Sequence, residues 1–262
     1  MNILEQIITY KNKEVKRMKD LYPVKLLEHK VYFQRNTNSL SGSLGKNRPG
    51  IIAEFKRKSP SAGQFGNQTD LGQVIRGYVE SGAAALSVLT DEKYFGGNIE
   101  DLSEAREKTD HPILRKDFIV DEYQIIEARA AGADAVLLIA EILTENQVYE
   151  FTGLARSFSL EVILEIHHSD QLNKLCDGIT IVGVNNRNLV DLTVDVNRSF
   201  ELASSIPGKF MKISESGISS PDTIIQLTET GYQGFLIGEY FMKHDTPQEA
   251  CKKLIEEILA DD

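Results

Sequence analysis

The sequence predicts an α/β protein that folds as a closed (β/α)8 barrel, or TIM barrel, with an N-terminal helical extension. Short apolar runs alternate with helix-like patterns from residue 51 to residue 260, and this alternation is typical of a parallel sheet with helices on both faces. The alternation repeats eight times in a chain of 262 residues, which fits a closed barrel. The rival, a doubly wound open sheet, normally carries a G-x-G-x-x-G turn after its first strand, and none is present.

The first fifty residues form the predicted extension, which we expect to belong to one barrel domain spanning residues 1–262. A helix is predicted over residues 3–19, because apolar residues recur there at helical spacing. Residues 24–34 predict a second short helix. The stretch 36–50 is rich in Asn, Ser and Gly and predicts a loop.

The repeating part of the chain supplies eight predicted strands and eight predicted helices. The strands are assigned to the apolar runs 51–56, 83–89, 112–116, 134–139, 161–166, 179–184, 210–214 and 235–238. The helices are assigned to residues 71–80, 99–108, 121–131, 144–157, 169–175, 196–204, 221–229 and 247–260. Gly82, Gly132 and Gly231 follow predicted helices, where glycine commonly ends a helix.

Composition excludes several classes of protein. No apolar run approaches the length of a membrane span, and the N-terminus lacks the features of a signal peptide. Cys176 and Cys251 have neither metal-ligand spacing nor the pattern of a disulfide framework. These observations predict a cytoplasmic enzyme without membrane contacts.

The charge is unevenly distributed along the chain. Residues 1–60 carry 13 basic and 5 acidic side chains, whereas the whole chain has a net charge of −10. The acidic total argues against general nucleic-acid binding, and the basic segment lacks interleaved aromatic residues. We expect the basic extension to dock against the acidic body of the chain or to lie near an anionic ligand.

Polar residues stand at the carboxyl ends of the predicted strands, where (β/α)8 barrels carry their active sites. The candidates are Glu54 and Lys56 on strand 1, Lys116 on strand 3, Glu165 on strand 5, Asn185 and Arg187 after strand 6, and Glu215 and Ser216 on strand 7. Each charge alone is equally well explained by a structural ion pair. Two lysines and two glutamates that converge predict proton donation and abstraction on an organic substrate. No metal or cofactor is predicted, because the ligand clusters of metal sites are missing.

Glycine-containing turns follow strands 7 and 8, which predicts a phosphate site. Ser216 and Gly217 follow strand 7, and Gly238 and Glu239 follow strand 8, the usual place of a phosphate cradle in this fold. Ser59 is predicted to add a hydroxyl from the first loop.

Three other side chains follow strand ends. Phe95 and Phe118 are predicted either to line the barrel mouth or to pack in the core. His167, in a histidine pair after Glu165, is predicted to be solvated or hydrogen-bonded.

With these residues identified, the chain closely resembles the indole-3-glycerol-phosphate synthase family of tryptophan biosynthesis. The resemblance rests on AEFKRKSPS at 53–61, SVLTDEKYFGG at 87–97, ILRKDFIVDEYQI at 113–125, ADAVLLI at 133–139, LEIH at 164–167, VGVNNRNL at 182–189, SESGI at 214–218 and FLIGE at 235–239. It implies that 1-(2-carboxyphenylamino)-1-deoxyribulose 5-phosphate undergoes ring closure, with loss of carbon dioxide and water, to indole-3-glycerol phosphate.

The resemblance also implies roles for the residues that react. Lys116 corresponds to the general acid that activates the carbonyl group, and Glu165 to the general base that removes a proton as aromaticity is restored. Lys56 is expected near the substrate carboxylate and donates a proton during dehydration. Glu54 and Asn185 are expected to orient the substrate hydroxyls.

The binding residues are implied in the same way. Arg187 is expected to assist with the carboxylate. The phosphate site corresponds to Ser59, Ser216, Gly217, Gly238 and Glu239, and the aryl pocket to Phe95, Phe118 and Leu137.

The chain departs from its relatives at two points. Many relatives have Ser at the position of Glu239, whose carboxylate would repel a phosphate unless only its backbone N–H makes the contact. Some relatives have a tryptophan in the N-terminal segment, and this chain has none.

Two other functions remain as alternatives: a phosphoribosylanthranilate isomerase-like barrel, and a catalytically silent barrel that serves as a binding subunit. The expected partner is a phosphorylated small molecule, and contacts with other enzymes of the pathway are also predicted.

Overall fold

Eight parallel strands close into a barrel in the computed structural model, which describes residues 2–47, 49–65 and 70–260. Each strand pairs with its neighbours in sequence, and the first also pairs with the last. The predicted fold class and all eight predicted strands are confirmed. The strands are β1 (Gly50–Phe55), β2 (Ala85–Leu89), β3 (Ile113–Lys116), β4 (Ala135–Ile139), β5 (Glu161–Ile166), β6 (Ile181–Asn185), β7 (Met211–Glu215) and β8 (Gly234–Ile237).

Helices connect the strands and precede the barrel. They are α1 (Ile3–Leu21), α2 (Val24–Leu27), α3 (Leu40–Lys46), α4 (Leu71–Glu80), α5 (Glu92–Phe95), α6 (Ile99–Lys108), α7 (Glu122–Ala131), α8 (Glu145–Ser157), α9 (Asn197–Ala203), α10 (Pro221–Glu229), α11 (Glu239–Met242) and α12 (Pro247–Ala260). A 3-10 helix, Ser169–Lys174, takes the place of the α-helix predicted over 169–175. The second short helix predicted over 24–34 is a single turn, α2.

The prediction of a loop over residues 36–50 is wrong, because the helix α3 lies within this range. The Ser39 hydroxyl caps this helix by accepting a hydrogen bond from the Gly42 N–H at 2.9 Å. Leu40 and Leu44 are fully buried and pack with the side chains inside the barrel. A β-carbon at Gly50, the first residue of β1, would overlap the Leu44 side chain. The helix α3 therefore closes the amino-terminal end of the barrel.

Strand residues alternate between the barrel interior and the surrounding helices. The inward side chains form one cluster that includes Ile52, Leu114, Ala135, Leu137, Ile163, Ile181, Ile213 and Leu236. The outward side chains pack against the helices in a second, larger cluster. Charged residues on the inward face therefore stand above a packed apolar layer, at the carboxyl ends of the strands.

The basic extension docks against the acidic body of the chain, as predicted. The Lys11 ammonium of α1 is fully buried and lies 2.9 Å from Asp91 and 3.0 Å from Asp117, in the loops after β2 and β3. Burial alone would lower the pKa of Lys11, but these carboxylates and that of Glu14 raise it overall. Lys19 adds an exposed pair with Asp121 at 2.7 Å.

Candidate active site

A cavity of about 370 Å³ opens at the carboxyl ends of the strands, under α1. All but one of the residues predicted for the site line it. Those residues are Glu54, Lys56, Ser59, Phe95, Lys116, Phe118, Glu165, Asn185, Arg187, Ser216, Gly217, Gly238 and Glu239. They come from seven of the eight strand ends and the loops that follow them, so the barrel brings together residues that are far apart in the sequence.

The structure does not bring Leu137 to the cavity wall. Its side chain is fully buried in the apolar layer inside the barrel. Ile139, two residues further along β4 on the same face, lines the cavity instead. The apolar wall thus contains Ile139, with Leu137 below it.

Lys116 and Glu165 form the centre of the charged cluster. The Lys116 Nζ atom lies 3.1 Å from Glu165 Oε2, and the Asn185 side-chain amide donates to Glu165 Oε1 at 3.1 Å. Lys56 donates to Glu54 Oε1 at 2.7 Å on the same wall of β1. The predicted convergence of two lysines and two glutamates is present, and it contains both proton donors and a proton acceptor.

Glu215 is a third carboxylate in this cluster, to which the sequence analysis assigned no role. Its Oε2 atom lies 3.6 Å from the Lys116 Nζ atom. A β-carbon at position 183 of the neighbouring strand β6 would overlap Glu215 Oε1, so Gly183 provides the space for this side chain. The inward direction of Glu215 could have been predicted from the sequence. Side chains two residues apart on a strand lie on the same face, and the apolar Ile213 lies inside the barrel.

The three groups at the centre have different proton affinities. Burial raises the pKa of Glu215 to about 8, although Lys116 opposes the shift. Burial also acts to raise the pKa of Glu165, but Lys116, His167 and the Asn185 hydrogen bond together lower it. Burial acts to lower the pKa of Lys116, and the surrounding glutamates raise it overall. At neutral pH the cluster therefore holds a charged lysine, an ionised Glu165 and a protonated Glu215.

The loops after β7 and β8 face the cavity with backbone groups. Ser216 and Gly217 have φ angles of 69° and 77°, the left-handed conformation that is uncommon for serine. Gly238 precedes α11, and a β-carbon there would overlap the Glu54 side chain. The close approach of two active-site walls therefore requires glycine at position 238.

Arg187 links three loops at this end of the cavity. Its guanidinium donates to Ser61 Oγ at 3.0 Å, to the Leu192 carbonyl at 3.1 Å and to Glu239 Oε2 at 2.8 Å. Lys243 donates to the other Glu239 oxygen at 2.7 Å. Burial acts to raise the pKa of Glu239, but these two cations lower it overall. The glutamate is thus held ionised between two positive charges.

Aromatic and aliphatic side chains form the opposite wall. Phe95 and Phe118 lie with ring centroids 6.1 Å apart, and both line the cavity. Leu4 and Ile7 of α1 complete this wall. Their spacing in the sequence predicts the apolar face of a helix but does not indicate which surface that face covers.

The described parts of the chain contain neither a metal-site cluster nor a membrane-spanning helix. Within residues 2–47, 49–65 and 70–260, no group of three or more His, Cys, Asp or Glu residues could hold a metal ion. No helix in the same ranges is both long and apolar enough to cross a bilayer.

Comparison with known proteins identifies clear relatives. The sequence model of the family described as “Indole-3-glycerol phosphate synthase” matches residues 4–254. A protein of that name from Bacteroides thetaiotaomicron is 42% identical over 257 residues, covering 98% of this chain and 99% of its own length. One from Laribacter hongkongensis is 39% identical over 259 residues, covering 97% of this chain and 98% of its own length.

Solved structures share the fold at low sequence identity. A mutant tryptophan synthase α-subunit from Pyrococcus furiosus has a TM-score of 0.61 and 16% identity, covering 81% of this chain and 98% of its own. A thiamine phosphate pyrophosphorylase from the same organism has a TM-score of 0.59 and 16% identity, covering 82% and 98%. At this identity the likeness supports the barrel fold alone.

Proposed function

The chain belongs to the indole-3-glycerol phosphate synthase family and catalyses its reaction, and we propose that the cavity under α1 is the site of catalysis. The reaction converts 1-(2-carboxyphenylamino)-1-deoxyribulose 5-phosphate to indole-3-glycerol phosphate, with loss of carbon dioxide and water, in tryptophan biosynthesis. The observation that carries the assignment is the 3.1 Å contact between Lys116 and Glu165, a charged acid and an ionised base in one cavity.

Ring closure requires a proton for the substrate carbonyl oxygen while the aryl carbon attacks the carbonyl carbon. Lys116 is the proposed donor, because its raised pKa keeps it charged throughout the physiological range. Its charge stabilises the negative charge that develops on the oxygen in a site shielded from water. Loss of carbon dioxide from the same ring carbon then gives the decarboxylated intermediate.

Dehydration requires a second acid and a base. Lys56 is the proposed donor of the proton that leaves with the hydroxyl group as water, and it also lies near the substrate carboxylate. Glu165 takes the proton whose loss restores aromaticity, a role that its lowered pKa supports because the carboxylate is ionised at neutral pH.

Three further polar side chains orient the sugar part of the substrate. Glu54 accepts hydrogen bonds from its hydroxyl groups, and the side-chain amide of Asn185 can donate to them or accept from them. Glu215, which is protonated at neutral pH, is added to this set because a protonated carboxyl can donate a hydrogen bond to a hydroxyl oxygen.

The phosphate is proposed to bind between the loops after β7 and β8. Backbone N–H groups of Ser216, Gly217, Gly238 and Glu239 and the Ser59 hydroxyl would contact it. Arg187 contacts Ser61 and Glu239, and these contacts support a position near the substrate phosphate. The family resemblance alone had implied a position near the substrate carboxylate. Phe95, Phe118 and Ile139 would enclose the aryl ring, with Leu137 below.

The domain organisation, the cellular location and the partners of the protein are also proposals. Residues 1–50 are proposed to fold with the barrel as one domain, which the buried Lys11 ion pairs support. A cytoplasmic location, contacts with other enzymes of the pathway and the lack of nucleic-acid binding stay predictions.

Separate incubations of the purified protein with 1-(2-carboxyphenylamino)-1-deoxyribulose 5-phosphate and with phosphoribosylanthranilate test the proposal. We expect carbon dioxide release together with the appearance of indole absorbance, and loss of both in the Lys116→Ala variant. Rearrangement of phosphoribosylanthranilate without carbon dioxide release would instead indicate the isomerase alternative. Unchanged substrate with wild-type protein would indicate the silent barrel.

A further inference from the structure

The Glu239 carboxylate is an anion of the chain itself that lines the cavity at the proposed phosphate site. Its Oε2 atom accepts a hydrogen bond from Arg187 at 2.8 Å, and its Oε1 atom accepts one from Lys243 at 2.7 Å. Burial acts to raise the pKa of Glu239, but Lys243, Arg187 and Lys56 together lower it. Three cations that line the cavity therefore act on this carboxylate as they would on a bound anion.

The substrate phosphate requires the same guanidinium group. Its proposed contacts are the backbone N–H groups after β7 and β8, and Arg187 lies at that end of the cavity. A phosphate monoester carries a charge of about −1.5 to −2 at neutral pH, and the Glu239 carboxylate carries one negative charge. Two anions at one guanidinium repel each other, so the phosphate and the carboxylate compete for Arg187.

The two cations that bind Glu239 differ in how firmly they are held. The Arg187 side chain is 18% exposed, and it also donates to Ser61 Oγ at 3.0 Å and to the Leu192 carbonyl at 3.1 Å. The Lys243 side chain is 57% exposed and lies four residues after Glu239, one helical turn away. Because Lys243 extends into solvent, the carboxylate can turn outward together with this ammonium and keep that hydrogen bond. The same rotation breaks the bond to Arg187.

We propose that the substrate phosphate displaces the Glu239 carboxylate from Arg187, and that Lys243 is the positioning residue that holds the displaced carboxylate outside the phosphate site. Lys243 acts through Glu239 without touching the substrate. This exchange rests on the proposed phosphate site between the loops after β7 and β8. It makes the site selective for an anion with more charge than a carboxylate, a condition that a phosphate monoester meets and a simple monoanion does not.

Exchange of one anion for another keeps the charge of Arg187 paired in both states. In the substrate-free protein the guanidinium is largely buried, and its other two partners, Ser61 and the Leu192 carbonyl, are uncharged. A buried cation that loses its anion is destabilised. Glu239 therefore holds the Arg187 side chain at the site before the substrate binds, and in doing so it lowers the affinity of the site for phosphate.

Binding of inorganic phosphate, measured by calorimetry at low salt, tests the exchange independently of turnover. In Glu239→Gln the side-chain oxygen can still accept a hydrogen bond from Arg187 but carries no charge, so phosphate should bind about fivefold more tightly. In Lys243→Met the carboxylate stays on Arg187, so phosphate should bind about twofold more weakly, which is the scale of an ion pair over four residues of a helix. KM for the substrate should change in the same directions, with the effect confined to KM.

The double variant separates the exchange from direct attraction between Lys243 and the phosphate, since Lys243 also lines the cavity. If Lys243 acts through Glu239, the Lys243→Met change should have no further effect on phosphate affinity in a Glu239→Gln background. Lys252→Met is the matched control. Lys252 makes an exposed pair with Glu256 over the same four-residue spacing on α12, so its loss should leave phosphate affinity at the wild-type value.

Several results would overturn the exchange. Unchanged or weaker phosphate binding in Glu239→Gln would show that the carboxylate does not compete with phosphate. Wild-type affinity in Lys243→Met, or an equal loss with and without the Glu239 charge, would show that Lys243 does not act through Glu239. Absence of phosphate binding in every protein would overturn the exchange and the phosphate site together. Wild-type protein that binds phosphate as expected but forms no indole-3-glycerol phosphate would contradict the proposed function alone.

Discussion

The Lys11 ammonium lies 3.0 Å from the carboxylate of Asp117, the residue that directly follows Lys116. Both side chains are buried, so the helical extension is joined by an ion pair to the strand end that carries the proposed general acid. The contact gives α1 a structural link to catalysis in addition to the apolar wall that Leu4 and Ile7 provide.

Lys11→Met should destabilise the protein and slow the reaction. The variant leaves Asp91 buried without a cation and Asp117 with Arg115 alone, and the loss of one partner of a buried ion pair costs about 3–5 kcal/mol of unfolding free energy. Lys19→Met is the matched control on the same helix, because Lys19 is 46% exposed. An exposed pair of this kind contributes about 0–1 kcal/mol. Urea denaturation and kcat would be measured for both, and equal stability losses would contradict the importance of the buried pair.

Lys116→Ala should lower kcat by at least about a hundredfold, the usual scale for a general acid, while the fold survives. Lys212→Ala removes a lysine at the start of β7 and should retain turnover, since Lys212 bonds only to the Ala203 and Thr230 carbonyls in the described structure. Steady-state kinetics and circular dichroism would be measured together. Near-normal turnover in Lys116→Ala would remove this residue from the proposed role.

Glu165→Gln should block a late step, because the base that restores aromaticity is missing after carbon dioxide has left. A decarboxylated intermediate should therefore accumulate in single-turnover experiments. Glu161→Gln is the control on the same strand, since Glu161 lies at the other end of β5 and accepts from Ser39 Oγ at 2.6 Å. Accumulation of unreacted substrate alone would mean that Glu165 acts earlier.

The raised pKa of Glu215 predicts a specific loss of stability with pH. The folded state keeps the proton up to a pKa of about 8, whereas the unfolded chain releases it near the ordinary value of 4.5. Between these values the folded state binds more protons, so stability falls as pH rises, by about 1 kcal/mol per pH unit. Glu215→Gln should lack this slope. Chemical denaturation from pH 5 to pH 8 would measure the difference, and parallel curves for the two proteins would contradict it.

Glu239→Ser, which removes the side-chain carboxylate, should lower KM for the phosphorylated substrate. The carboxylate near the proposed phosphate site is removed, while Arg187 and Lys243 keep their positive charges. Removal of one repulsive charge is worth about 1 kcal/mol, or about fivefold in KM at low salt. A higher KM would instead show that Glu239 is needed to position Arg187.

The sequence was sufficient for most of the fold because each strand and helix has a clear local pattern. Periodicity and capping residues predicted α4, α6, α10 and α12 with the bounds that the structure shows. The helix α3 was missed because its glycines and serines are typical of a loop, and its two leucines gain their burial only from the barrel. Local propensity is outweighed there by tertiary packing.

The candidate site was predictable where alternation along one strand decides the direction of a side chain. Lys116 and Glu165 follow Leu114 and Ile163 on the inward face, and both reach the cavity. The height of a residue in the barrel depends on strand tilt and stagger, which the sequence does not display, so Leu137 was expected where Ile139 lies. Contacts between loops that are distant in sequence, such as that of Arg187 with Glu239, could not be predicted either, because they also depend on the tilt and stagger of the strands.

The seal that α3 forms at the base of the barrel has a consequence for the order of folding. The extension is synthesised before the barrel, yet Leu44 packs against Gly234 in the last strand as well as Gly50 in the first. The two leucines of α3 therefore have no complete binding surface until β8 has emerged. Closure of the base is a late event in biosynthesis, and until then Leu40 and Leu44 are exposed apolar groups that chaperones can recognise.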